Sequence, residues 1–131
     1  MTMKQESPAP ETIGHFEQVL LTAIMTLGGE AYGVPIYDKA CELAEKRVNQ
    51  GSLYSTLDRL EEKGLLASRL SDPAKEPRGR PKRFYRLEAA GLRALQESVE
   101  NAKRLAEIYD DTSGSIRRWL TKRTKSVRQD T

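Results

Sequence analysis

The sequence predicts a mainly α-helical fold that carries one small β-hairpin and ends in a long helix. Three observations predict it. Apolar residues recur at helical spacing in three successive segments between about residues 14 and 63. The period then changes in two short runs, Leu66–Leu70 and Lys82–Leu87, separated by Ser71–Pro81 with its three prolines and one glycine. From Ala89 to Tyr109, steps of three and four return.

The first helix is expected from about Gly14 to Leu27, with Phe16, Val19, Leu20, Ala23, Ile24 and Leu27 on one side. Leu21 and Met25 form a second apolar strip, which predicts two packing partners for this helix. Gly28-Gly29 stops it. The second helix, about Val34–Lys46, places Ile36, Ala40, Leu43 and Ala44 together, and Pro35 suits its first turn because no N–H is needed there. The third runs from about Gln50 to Lys63, with Asn49 as N-cap, a stripe of Leu53, Leu57 and Leu60, and Gly64 as the stop. The hairpin has a long basic tip. In the last long helix Leu92, Leu95, Val99, Ala102, Ala106 and Tyr109 form the seam of a two-helix contact, where small Ala102 and Ala106 let a second chain approach. The pattern breaks over Asp110–Ser115. A short helix over Ile116–Leu120, capped by Ser115, is expected to bury Trp119 against Leu21, Met25, Ile108 and Tyr109, because so short a helix does not hold alone in water. The predicted organisation is therefore a disordered stretch over 1–12, a domain over 13–87, a dimerisation helix over 88–111 and a basic tail over 112–131.

The net charge of +3 hides a strong asymmetry. Residues 69–86 carry +5, residues 112–131 carry +5, and the remainder is acidic at −7. Two basic patches on an acidic body favour a polyanionic partner. No apolar run is long enough to span a bilayer, and the first residues lack a charged-then-apolar leader pattern. With a single cysteine, Cys41, there is no internal disulfide. The expected compartment is the reducing cytoplasm. Enzyme chemistry has no support. One histidine, His15, and one cysteine are too few for a metal centre, and no glycine lies in a phosphate-loop pattern, so neither metal nor cofactor is expected. Cys41, beside Ala40 and Leu43, reads as a small half-buried packing residue rather than a redox sensor.

Three helices, then strand, basic loop and strand, is the order of a winged helix-turn-helix, whose third helix enters the major groove of duplex DNA. With the leucines inward, Gly51, Ser55, Asp58 and Glu62 face out, flanked by Ser52, Arg59 and Tyr54. The small polar start allows close approach to phosphate, whereas Asp58 and Glu62 would repel it, so only the first half of the helix is expected to enter the groove. At the wing tip, Gly79 permits a tight turn and Arg80 projects towards phosphates or a minor groove.

The segments Ala31-Tyr32-Gly33, Gly51-Ser52-Leu53-Tyr54-Ser55-Thr56-Leu57-Asp58-Arg59-Leu60-Glu61-Glu62-Lys63-Gly64-Leu65, Gly79-Arg80-Pro81-Lys82-Arg83-Phe84-Tyr85-Arg86-Leu87 and Ala90-Gly91 together resemble the PadR-like transcriptional regulators, over roughly residues 14–110. The resemblance implies a homodimeric repressor, paired through its C-terminal helix and often released from DNA by a small effector. By position it also implies that Ser52, Tyr54, Thr56 and Arg59 face or support DNA, with Arg80 reaching it from the wing. Together with the pattern above, the DNA-facing set is Gln50, Ser52, Tyr54, Ser55, Thr56, Arg59, Arg78, Arg80 and Lys82. The chain departs from the family at Gln50 or Ser55, where proline is common, and at Glu88-Ala89, where a threonine–glutamate pair usually opens the last helix. Two other readings stand beside this one. A winged helix can dock protein instead of DNA, although the polar helix face and the arginine wing argue against it. Alternatively, Met25, Leu105, Tyr109 and Trp119 line an effector pocket near the dimer seam.

Overall fold

The computed structural model describes residues 12–111 and 114–130. The first eleven residues, expected to be disordered, lie outside the described set. Eight labelled elements follow in order: α1 (His15–Thr26), β1 (Glu30–Tyr32), α2 (Gly33–Ala44), α3 (Gln50–Glu62), β2 (Leu66–Leu70), β3 (Arg83–Leu87), α4 (Ala89–Asp111) and α5 (Ser115–Asp130). The chain is mainly helical with a small antiparallel sheet.

That sheet has three strands rather than the expected two, in the order β1-β3-β2. The extra strand, β1, pairs Glu30 with Arg86, Ala31 with Tyr85 and Tyr32 with Phe84. Only three residues long, β1 is held by β3 and by cross-strand contacts. The Tyr32 and Phe84 rings meet edge to face at 5.5 Å, and Glu30 takes two hydrogen bonds from the Arg69 guanidinium, at 2.9 and 3.2 Å. The expected hairpin forms, its pairing running from Leu66 opposite Leu87 to Leu70 opposite Arg83.

The described residues form two compact units, divided between Ser98 and Val99. The division falls inside α4 rather than at its start because Ala94 and Leu95 are buried in the core of the first unit. That core joins Leu20, Leu21 and Ile24 of α1, Ile36 and Ala40 of α2, the three leucines of α3, and Leu65, Leu66 and Tyr85 at the sheet. Leu21 is fully buried here, which corrects the expectation of an outer apolar strip on α1; only Met25 remains exposed from that pair. The packing is closest at Gly91. A β-carbon there would overlap the Leu65 carbonyl oxygen and stand 2.9 Å from Leu87 Cδ1, while the same carbonyl accepts the Glu88 N–H at 3.1 Å. Gly91 thus lets the first turn of α4 lie directly on the chain entering β2.

In the second unit, α5 is 16 residues long, far longer than the short helix expected over Ile116–Leu120, and opens with the Arg118 N–H bonded to the Gly114 carbonyl at 2.8 Å. Its sequence is too polar for apolar periodicity to show its length. Trp119 is 65% exposed in the single chain, against the expectation of burial, and Leu105, Ile108, Tyr109, Ile116 and Leu120 are also exposed. Among the described residues no helix is long and apolar enough to cross a membrane.

Candidate nucleic-acid interface

α3 forms where helical spacing and capping agree. Asn49 caps it, its side-chain oxygen accepting the Ser52 N–H at 2.8 Å. The buried stripe holds Leu53, Leu57 and Leu60, as expected, and also Thr56, only 3% exposed. Thr56 is therefore not on the exposed face: it accepts a hydrogen bond from the Arg59 guanidinium at 3.3 Å. Gln50, Gly51, Ser52, Tyr54, Ser55, Asp58, Arg59 and Glu62 form the exposed face. The Ser55 hydroxyl donates back to the Ser52 carbonyl at 3.2 Å. The half-exposed Tyr54 reaches back over the start of α2, where a β-carbon on Gly33 would overlap its hydroxyl. Tyr54 thus links the two helices of the turn motif.

Behind this face lies a charged group that apolar periodicity does not reveal. Glu17 of α1 is 8% exposed and takes three partners: the Gly14 N–H at 2.9 Å, Lys63 Nζ at 2.9 Å and Arg59 Nε at 3.6 Å. Burial alone would push its carboxyl up. The Gly14 hydrogen bond and the two cations outweigh that and hold it below the usual glutamate value. Folding and ionisation of Glu17 therefore favour each other. The contribution is full at neutral pH and is lost as the pH falls through the lowered folded-state value. Glu17→Gln, which keeps the amide contact but loses the charge, is expected to destabilise the domain by about 1–2 kcal/mol at pH 7. It should also flatten the fall in stability between about pH 5 and 3. Urea unfolding across that range checks both.

The wing separates paired from unpaired cations. Around its base, Arg69 lies on Glu30 and stacks 4.6 Å from the Phe84 ring centroid. Arg86 pairs with Glu88 at 3.0 Å, and Arg83 donates to the Ser68 hydroxyl at 2.9 Å, which in turn donates to Glu61 at 2.8 Å. The tip is closed by Ser71, whose N–H donates to the Lys82 carbonyl and whose hydroxyl accepts the Lys82 N–H, both at 2.8 Å. A single 3₁₀ turn over Pro73–Lys75 and a left-handed Gly79 at φ +68° shape the tip. Lys82, expected among the DNA-facing residues, is paired within the wing although its side chain stays 42% exposed: its Nζ pairs with Glu76 at 3.4 Å and sits 4.6 Å from the Tyr32 ring centroid. Arg78 and Arg80 are exposed, and their side chains make no hydrogen bond or ion pair with the described residues.

The expected seam on α4 is divided. Leu92 and Val99 are exposed, as are Ala102, Ala106 and Tyr109, but Leu95 is 5% exposed within the core of its own chain. It is a domain contact and not a free knob for a second chain. Among the described residues no group of three or more metal-ligating side chains gathers in one place.

The model of the transcriptional regulator PadR-like family matches residues 20–97, the stretch from the middle of α1 to the first turns of α4. The chain belongs to the PadR-like family of transcriptional regulators. Membership makes it a DNA-binding regulator and not an enzyme. No curated protein sequence matches the chain. Among solved structures, a PadR-like transcription factor from Bacteroides fragilis is 28% identical, with a TM-score of 0.59 over 74% of this chain and 92% of that one. A PadR family regulator from Clostridium difficile, 20% identical, gives 0.60 over 76% and 98%. BpsR of Bordetella bronchiseptica, whose DNA binding is regulated by 6-hydroxynicotinic acid, is 18% identical, with a TM-score of 0.58 over 96% and 86%. The last two likenesses bear on the fold alone.

Proposed function

We propose that this PadR-like protein is a cytoplasmic repressor that binds a two-fold symmetric operator as a homodimer and leaves it when a small effector binds. One observation carries the reading. The small polar start of α3 and the two unpaired tip arginines, Arg78 and Arg80, belong to one compact unit, while Arg69, Lys82 and Arg86 of the wing are matched by acids. The helix start suits base edges and the tip suits phosphates or groove shape. Dimerisation is supported by the exposed apolar side chains Val99, Leu105, Ile108 and Tyr109 on one helix, more than a soluble monomer usually leaves uncovered together. A two-fold dimer would set its half-sites about one helical turn apart, roughly 34 Å. The effector rests on the family resemblance and on the regulated neighbour BpsR.

Selection of bound fragments from a random duplex pool tests the reading. The expected result is an inverted repeat whose preferred bases change when Ser55 or Arg59 is replaced by alanine, by about 1–3 kcal/mol per lost contact. Recovery of fragments with no shared sequence would overturn operator specificity. Sedimentation of the same samples should give twice the chain mass, and Val99→Asp should lower it.

A further inference from the structure

Arg59 stands on the exposed face of α3 with its side chain 53% exposed, yet its guanidinium is held. Its Nη2 donates to the Thr56 hydroxyl at 3.3 Å, and its Nε stands 3.6 Å from Oε2 of Glu17. The acids nearest to it along its own helix are Asp58 and Glu62, and among the described residues it pairs with neither. It turns instead to a carboxylate of α1. That carboxylate is itself fixed: Oε1 accepts the Gly14 N–H and Oε2 the Lys63 ammonium, each at 2.9 Å. Thr56 is fixed too, lying in the buried stripe of α3. The two groups that hold Arg59 are therefore rigid. They engage Nε and one N–H of Nη2, and the other N–H groups of the planar fork are left to offer.

We infer that Glu17, together with Thr56, is a positioning residue for sequence recognition: it holds the Arg59 guanidinium in place at the surface of α3 and so helps set which base is preferred there. A long arginine loose on a helix samples many rotamers, loses that freedom when DNA arrives, and has phosphates as its most abundant partners. Phosphates carry no sequence. A guanidinium held beforehand presents its fork to one base edge at a smaller entropic cost. Glu17, only 8% exposed, acts through Arg59 and does not meet the base itself. Its grip on Arg59, at 3.6 Å, is looser than its grip on Lys63, at 2.9 Å. Arg59 can therefore shift onto a base while the carboxylate stays anchored. The effect on base preference rests on the proposal above that α3 reads an operator; the hold on Arg59 does not.

The test compares the full chain with Glu17→Gln, Thr56→Val and Arg59→Ala. Glutamine keeps an acceptor for Gly14 and loses the charge; valine keeps the shape of threonine and loses the hydroxyl. The first arm needs no DNA. In ¹⁵N-labelled protein the heteronuclear NOE of Arg59 Nε reads its order on the fast timescale. It is expected to be well above that of Arg80 in the parent and to fall in Glu17→Gln and in Thr56→Val; a parent value as low as that of Arg80 overturns the proposal. The second arm measures affinities for the selected duplex and its single-base variants. Arg59→Ala marks the position that Arg59 reads. Glu17→Gln and Thr56→Val should each lower the preference at that same position by about threefold or more, leave the position marked by Ser55→Ala as it was, and have no further effect there in Arg59→Ala. A purely structural role predicts an equal loss at every position or none at any, and either result overturns the proposal. Should Glu17→Gln fail to fold, Thr56→Val and the parent NOE decide. A preference lost in Arg59→Ala but full in Glu17→Gln sinks the positioning alone. Preferences unchanged in Arg59→Ala sink the reading of DNA through Arg59, and the proposal with it, even where the NOE shows Arg59 held.

Discussion

Gly91→Ala is expected to destabilise the protein by about 2–3 kcal/mol, the upper part of the range for forcing extra volume into a packed site. The added carbon would overlap a backbone carbonyl, that of Leu65, and cannot be relieved by rotating a side chain. Either α4 lifts from the sheet or the Glu88–Leu65 hydrogen bond at 3.1 Å breaks. Lifting α4 also uncovers Ala94 and Leu95. Urea or thermal unfolding reads the effect directly, with the exposed Ala89→Ser expected within about 0.5 kcal/mol of the parent. An unchanged midpoint for Gly91→Ala would mean that α4 does not lie against Leu65.

The second large effect is on DNA affinity. Arg78→Ala/Arg80→Ala is expected to lower affinity about tenfold per arginine at moderate salt, the scale of a hydrogen bond to a charged group. It should also reduce the slope of log K against log salt by nearly two per protomer, about twice that for a bound dimer, because each phosphate contact contributes about 0.9. The loss should be similar across unrelated duplexes, since phosphates carry no sequence. Arg86→Ala provides the contrast. That guanidinium is already paired with Glu88, so its removal should cost much less. Equal losses for Arg86 and for the tip pair would show that the division of the wing into paired and unpaired cations has no bearing on binding.

Much of this architecture was legible in the sequence because it depends on local pattern. Leu53, Leu57 and Leu60 have helical spacing, Asn49 stands where a cap is needed, and the three prolines between Leu70 and Lys82 leave no choice but a long tip. What was missed depends on partners distant in sequence. β1 has three residues, too few to show a period, and is a strand because β3 pairs with it. Glu17 looks like an ordinary exposed first-turn acid until α3 brings Lys63 and Arg59 onto it. The same blindness affected the site residues. Lys82 reads as one more tip cation, and only the fold shows Glu76 and Tyr32 claiming it. Leu95 continues a seam with perfect spacing, but a helix shared between two units carries core positions and exposed apolar positions in one pattern. Spacing alone does not separate them.

The pairing of acids with the cations at the base of the wing bears on how such a regulator finds its site in a genome. Binding to random sequence grows with every cation free to displace counterions, and random sites outnumber an operator by a million or more. A wing with all its cations free would be held almost everywhere. Here Glu30, Glu88 and Glu76 take up Arg69, Arg86 and Lys82, leaving the tip as the main free charge of the wing. The expected outcome is short residence on random DNA and a larger share of the discrimination resting on α3. Removing one of those acids, rather than any arginine, is then the change that would leave the operator contacts intact while titrating the protein away from its operator onto bulk chromosome.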